Sequence, residues 1–259
     1  MLYLITRYLL RYRLKVVRNN LRTSFPAYTT SELRKIERDF YHHFVGLFYE
    51  SMVMGLASKR LMRKMFRFEN MDIVEEAAKR SNTIICVFGH QCNWDLVASV
   101  PLWSDKVHFN ALYKALHNRF FDRLFVSIRE RFGTTLISHH QAARTILRNI
   151  KEPAAAVQLY GFNTDQSPRY GQPCEWVTFF GKDTAVIAAW AQMATKYNLP
   201  VVYLHIRKTG FMQFVGQAEE IKAEGVNAML SEFYRLLEED VRRQPGQYLW
   251  SHRRWKITR

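Results

Sequence analysis

Apolar residues along this chain follow two different spacings, and the change from one to the other organises the sequence. Over positions 33–52 they recur at three- and four-residue steps, as Leu33, Ile36, Phe40, Phe44, Leu47, Phe48 and Met52. That period places side chains on one helix face. Thr29 with Glu32 three residues later has the form of a capping box, so a helix burying one long stripe is predicted to begin there. From Thr83 onward, short apolar runs alternate with helical patterns. Positions 83–88, 107–113, 134–137, 154–159 and 200–206 read as strands, with helices expected at 94–101, 119–131, 141–150 and 184–197. Strands alternating with helices imply right-handed crossovers. The predicted class is therefore α/β: a mostly parallel central sheet flanked by helices, preceded by an N-terminal helical segment. Positions 1–65 are expected to form basic, amphipathic, membrane-facing helices and positions 66–259 the α/β core, together one structural domain.

The first 22 residues mix Leu2, Leu4, Ile5, Tyr8, Leu9, Leu14, Val16 and Val17 with Arg7, Arg11, Arg13, Lys15, Arg18 and Arg22. The expectation is a basic helix lying in the interface of an anionic membrane. The whole chain agrees in sign: 38 Lys and Arg against 23 acids give a formal charge of +15, which favours polyanionic partners. With 48% apolar residues, 11 Gly and 7 Pro, the composition is that of a packed protein and excludes a disordered or fibrous one. No run approaches the roughly 20 apolar residues that cross a bilayer, and the start lacks a secretory leader, so neither a transmembrane nor a secreted chain is expected. Cys86, Cys92 and Cys174 are odd in number and lack CxxC spacing. They point to a reducing compartment and away from disulfides or a cysteine zinc site. His139 and His140 are adjacent and lack a ligand at helical spacing, so no metal is expected.

The sharpest candidate chemistry is Gly89-His90-Gln91-Cys92-Asn93-Trp94-Asp95, directly after the apolar run 83–88. Ligands in open α/β sheets bind just beyond the carboxyl ends of strands, which is where His90 falls. Asn93 is suited to cap the following helix, leaving Asp95 in its first turn within reach of the imidazole. An alcohol or amine attacking a thioester must lose a proton, and an imidazole with an ordinary pKa of about 6.5 is matched to accept it. A carboxylate on the other ring nitrogen would fix the tautomer. Spacing alone is weak: nine histidines and 23 acids give roughly 0.8 accidental matches to such a five-residue step. The second match, His117 to Asp122, lies in a helical pattern with no strand delivering it, and reads as surface.

Other polar groups fall at corresponding strand ends, Tyr113-Lys114 after 107–113 and Asn163-Thr-Asp165-Gln166 after 154–159. Together with Asn93 and Arg129 these form the candidate substrate-binding set: Asn93, Tyr113, Lys114, Arg129, Asp165 and Gln166. Two alternatives remain open. Cys92 could be the nucleophile of a thioester hydrolase with His90 as base. A basic nucleic-acid-binding protein is the other, motivated by the interleaved aromatics and bases of Trp250-Ser-His-Arg-Arg-Trp255-Lys, although no established nucleic-acid motif accompanies them.

Five blocks in order carry a family resemblance over roughly residues 16–259. They are the His-x4-Asp block His90 to Asp95, Tyr113-Lys114 leading to Arg129-Glu-Arg-Phe-Gly133, Asp165-Gln166-Ser-Pro, Phe179-Phe-Gly181 followed by Thr184, and the ending Pro245-Gly-Gln-Tyr-Leu-Trp250-Ser-His-Arg-Arg254-Trp-Lys. In these the chain resembles the lysophospholipid acyltransferase superfamily, and within it the lipid A biosynthesis acyltransferases, bacterial lauroyl and myristoyl transferases. The resemblance implies a glycerol-3-phosphate acyltransferase-like fold. It further implies transfer of an acyl group from acyl carrier protein or coenzyme A thioester to a hydroxyl or amine of a membrane lipid, without a cofactor. His90 would be the base, Asp95 its partner, and Arg129 and Asp165 part of the donor or acceptor site. The implied setting is peripheral, at the cytoplasmic face of the inner membrane, with an anionic lipid surface and not nucleic acid as partner. The Pro-Glu-Gly-Thr stretch of glycerophosphate-type relatives is absent, which argues against a simple lysophosphatidate acceptor.

Overall fold

The computed structural model describes residues 1–115 and 118–259. The N-terminal stretch is not one helix. A short α1 (Leu2–Leu4) runs into a π turn (Ile5–Leu9), the backbone reverses through left-handed Arg11 and Arg13, and α2 (Leu14–Ser24) follows. Left-handed conformations cost about 1–2 kcal/mol each for ordinary residues, and tertiary contacts offset that here. The Tyr41 hydroxyl donates to Tyr12 O at 2.7 Å, Arg13 donates to Ser251 O at 3.0 Å, and Arg7 and Arg18 both bond the buried carboxylate of Glu37.

The capping box at Thr29 and Glu32 forms as predicted and opens α3 (Thr30–Leu56). The expected stripe is buried only in part. Ile36 and Phe40 enter the core, whereas Phe48 is 60% and Met52 40% exposed. In the second half of the helix Glu50, Ser51 and Met54 turn inward instead, because Glu50 and Ser51 find polar partners there.

From β2 to β5 strands and helices alternate as the pattern predicts, and the full order is α4 (Lys59–Met65), β1 (Phe66–Glu69), α5 (Met71–Ala78), β2 (Thr83–Phe88), a 3-10 helix (Trp94–Leu102), β3 (Val107–Tyr113), α6 (Arg119–Glu130), β4 (Thr135–Ser138), α7 (His139–Lys151), β5 (Val157–Asn163), β6 (Glu175–Phe179), β7 (Lys182–Val186), α8 (Ala189–Tyr197), β8 (Val201–Gly210), β9 (Gln213–Glu220) and α9 (Val226–Arg243). The helix expected at 184–197 begins only at Ala189. Its first residues pair instead as β7 against β6 in a hairpin turned by Phe180 and Gly181, both at positive φ.

Among the described residues the main sheet has seven strands in the order β1-β9-β8-β2-β5-β3-β4. All pairs are parallel except the β8–β9 hairpin. β2 is buried throughout, its alternate residues feeding two cores: Ile85 and Val87 pack with α8 and α9, while Ile84, Cys86 and Phe88 face the opposite layer. Beyond β2 the chain is stitched to the C-terminal segment, where Leu249 N–H donates to His90 O and Cys92 N–H to Gln247 O. Gly89 permits close approach of α9, since a Cβ there would collide with the Leu237 side chain. Gly89→Ala is therefore expected to destabilise the protein by about 1–3 kcal/mol, the usual cost of overpacking, read as a lower urea midpoint.

Candidate active site

The two central parallel strands determine what meets at the sheet edge. Phe88 of β2 pairs in register with Asn163 of β5. His90 and Asp165 therefore stand the same two residues beyond the last paired position on neighbouring strands. Their side chains meet, with His90 Nδ1 2.5 Å from Asp165 Oδ1. Asp165 is 2% exposed. Burial raises its pKa, but the His90 ring and its hydrogen bond, with Tyr248 beside them, more than offset this and hold the carboxyl down at about 2.

Asp165 accepts only if Nδ1 carries the proton, so Nε2 is left as the basic nitrogen. That nitrogen receives the Gln166 amide at 3.0 Å. The Asn163 amide also lies against the pair. Trp94 packs edge-to-face on the imidazole, ring centroids 4.7 Å apart.

The expected His90–Asp95 contact does not form. Asp95, carried on the 3-10 helix, accepts through one oxygen from Arg129 Nε and Nη2, at 3.1 and 2.8 Å, and through the other from the Ser51 hydroxyl at 3.4 Å. The helix start sets this outcome, because Asn93 caps the Asp95 N–H at 3.2 Å and directs the carboxylate toward α3 and α6. The Asn93 side chain itself is buried. It is 1% exposed and its amide donates to Glu50, which also pairs with Lys208.

A cavity of about 420 Å³ opens beside the imidazole. His90, Asp95, Arg129 and Gln166 line it, as do Trp94, Phe44, Leu47, Phe48, Phe125 and Leu249. Its wall thus combines charged side chains with apolar ones. Tyr113 and Lys114 lie outside this lining, at the end of β3, and His117 falls outside the described residues.

Pattern alone missed the cavity's contributions from the two chain ends, Tyr12 and Arg13 on one side and Ser251 and His252 on the other. His252 sat inside a block that resembled the family, which was the only available signal. It accepts the Ser167 N–H through Nε2, and burial, with Arg254, His90 and Lys256 nearby, pushes its pKa down to about 4 despite Asp165.

The structure answers both alternatives. The Cys92 thiol is fully buried, donates to Ile206 O at 3.2 Å away from the cavity, and has its pKa raised by burial, so it is not placed as a nucleophile. Most of the C-terminal aromatics and bases are packed, with Arg253 the exposed member of the run 250–256. Trp250 is 1% exposed, Arg254 is buried against Ala185 O and the Tyr234 hydroxyl, and Trp255 stacks on Phe179.

Comparison with known proteins places the whole chain in a family. The family described as bacterial lipid A biosynthesis acyltransferase matches residues 4–257. The chain is similar to a lipid A biosynthesis palmitoleoyltransferase of Escherichia coli (strain K12), 21% identical over 253 residues that cover 95% of this chain and 80% of that protein. It is equally similar, at 21% identity over 244 residues, to a lipid A biosynthesis acyltransferase of Haemophilus influenzae, covering 89% of this chain and 72% of the relative.

His252 is neutral in the fold while the unfolded chain protonates it below about pH 6.5. Its contribution to stability is complete above that pH and is lost as pH falls toward its folded value of about 4. His252→Gln is expected to reduce the loss of unfolding free energy between pH 7 and 5 by on the order of 1 kcal/mol, measured by urea titration at both pH values. With the fold, the strand-end histidine and a match along nearly the whole chain in agreement, the chain belongs to the bacterial lipid A biosynthesis acyltransferase family and is an acyltransferase.

Proposed function

We propose that the enzyme transfers a fatty acyl group from a thioester, carried by acyl carrier protein or coenzyme A, to a hydroxyl or amine of lipid A or a related membrane lipid. His90 acts as the general base. The observation that carries the reading is the imidazole held by Asp165 through Nδ1, with His90 lining a cavity whose wall combines charged and apolar side chains. The acceptor displaces the Gln166 amide from Nε2 and gives up its proton there as its oxygen or nitrogen attacks the thioester carbon. Asp165 stabilises the imidazolium. The tetrahedral oxyanion then collapses, expelling the thiolate, which takes the proton back from His90.

The N–H groups of Cys92, Asp95 and Leu96 are already bonded within the protein. Arg129 is better placed to hold the oxyanion, because Asp95 engages its Nε and Nη2 and leaves Nη1 for the cavity. In this reading Asp95 orients Arg129, and Asp165 takes the role that the His-x4-Asp spacing suggested for Asp95.

Acceptor and acyl chain are membrane lipids or their derivatives, and the surface beside the cavity suits them. Leu2, Leu4, Leu9 and Leu10, then Phe48, Met52 and Leu56 of α3, and Phe120 and Phe121 of α6 are exposed on the segments that build the cavity wall. No helix among the described residues is long and apolar enough to cross a membrane. The exposed apolar groups, with the N-terminal arginines, support peripheral attachment to an anionic leaflet at the cytoplasmic face of the inner membrane.

Thiol release from acyl carrier protein or coenzyme A thioester in the presence of acceptor tests the chemistry. His90→Ala is expected to remove detectable turnover. Asp165→Asn should lower kcat by about 10²–10⁴-fold with little change in KM, since it spoils the tautomer but not the cavity. Asp95→Asn should lower kcat by a smaller factor, again with little change in KM, since it loosens the guanidinium that holds the oxyanion. Near-normal turnover by the His90 variant would remove the mechanism, and a larger kcat loss at Asp95 than at Asp165 would return the orienting role to Asp95. Flotation with phosphatidylglycerol vesicles tests the attachment: Leu9→Asp combined with Phe121→Asp should lower the bound fraction at least several-fold and leave the melting temperature in place.

A further inference from the structure

The loop that leaves β5 grips two imidazoles with three consecutive residues. Asp165 Oδ1 lies 2.5 Å from His90 Nδ1, the Gln166 amide 3.0 Å from His90 Nε2, and the Ser167 N–H donates to His252 Nε2 at 3.0 Å. Both rings line the acyl-transfer cavity. Only His90 has a part in the proposed chemistry so far.

A backbone N–H can only donate, so His252 Nε2 carries a lone pair and the neutral ring must hold its proton on Nδ1. Burial, with Arg254, His90 and Lys256 nearby, keeps the ring neutral despite Asp165. Its Nδ1–H is therefore a fixed donor. Among the described residues that donor has no hydrogen-bond partner, and it is not sealed inside the protein as the two His43 nitrogens are. It reaches open space, and the open space the ring borders is the cavity. The two imidazoles are thus set in complementary states. His90 offers a lone pair, which takes a proton, and His252 offers an N–H, which gives a hydrogen bond.

Acyl transfer needs both at once: a base for the attacking group, and donors aimed at the carbonyl oxygen on which charge develops. A neutral imidazole is too weak an acid to surrender its proton to that oxygen, so its hydrogen bond stabilises the charge without quenching it. Arg129 Nη1 supplies one donor, and a tetrahedral oxyanion accepts more than one. We infer that His252 Nδ1–H donates to the thioester carbonyl oxygen and to the oxyanion it becomes, as a second donor beside Arg129. The assignment rests on the acyl-transfer reading of the cavity. Ser167 is then a positioning residue, because its N–H decides which nitrogen of His252 carries the proton.

Two amide substitutions separate this role from a structural one, because an Asn amide stands where Nδ1 was and a Gln amide where Nε2 was. His252→Gln keeps an acceptor for the Ser167 N–H and loses the donor; His252→Asn keeps the donor and loses the acceptor. Both are assayed in the full chain by thiol release from lauroyl coenzyme A with under-acylated lipid A in mixed micelles. His252→Gln is expected to melt near the wild-type temperature and to lose about 10²-fold in kcat with little change in either KM, the effect of removing one oxyanion donor. His252→Asn should melt lower yet turn over at least about tenfold faster than His252→Gln, because it retains that donor. Wild-type kcat in His252→Gln, or less activity in His252→Asn than in His252→Gln at a temperature where both are folded, overturns the assignment. So does a rise in the acceptor KM with kcat kept, which would put the hydrogen bond on the acceptor instead. Normal turnover by His90→Ala, or none by the unaltered chain, sinks the acyl-transfer reading itself; an inactive His90→Ala beside a fully active His252→Gln sinks only the role of His252.

Discussion

The register between β2 and β5 is the constraint on which the site depends. In parallel strands side chains alternate in step, so pairing Phe88 with Asn163 makes His90 and Asp165 equivalent positions on adjacent strands. A slip of one residue would bring Gly89 or Gln91 opposite Asp165 and leave a carboxylate buried with no imidazole. Isolated buried carboxylates are costly enough that such groups normally lose their charge instead. The same bond that orients His90 thus also penalises the wrong register, and the sheet and the site select each other.

Around that pair the protein uses ion pairs to hold loops where backbone hydrogen bonds alone would leave them free. Glu50 joins Asn93 to Lys208 and so ties the start of the 3-10 helix to both α3 and β8. Asp240 of α9 accepts from the Tyr203 hydroxyl and His205 on β8, while its backbone carbonyl receives the Gln91 amide. The segment from Gln91 to Asp95 is consequently gripped from two sides. Buried polar networks of this kind contribute more to holding one geometry than to net stability, and the geometry held here is that of the segment that carries His90.

Much of the architecture was legible because it rests on short-range pattern. The capping box at Thr29, the apolar run 83–88 and the placement of His90 at a strand end all depend on residues close in sequence. What pattern could not supply was long-range pairing. Asp95 was the nearest carboxylate along the chain, but Asp165 is the nearest in space, because a parallel register leaves no local trace in either strand. The short strands β1, β6, β7 and β9 escaped for a related reason: their residues alternate or mix polarity over four to eight positions, too few to distinguish from loop. Phe48 and Met52 misled because helical spacing reports that a face is apolar and not what covers it.

The cavity wall joins the two extremes of the chain: Tyr12 and Arg13 face Ser251 and His252, and Asn20 donates to Trp250 O and His252 O, each at 2.8 Å. During synthesis Tyr12, Arg13 and Asn20 must therefore wait, without their partners, until Ser251 and His252 have left the ribosome. Contacts of such long separation are late and slow to form. A chain cut short before Ser251, even one holding both His90 and Asp165, would lack that side of the cavity wall and leave the imidazole open to water.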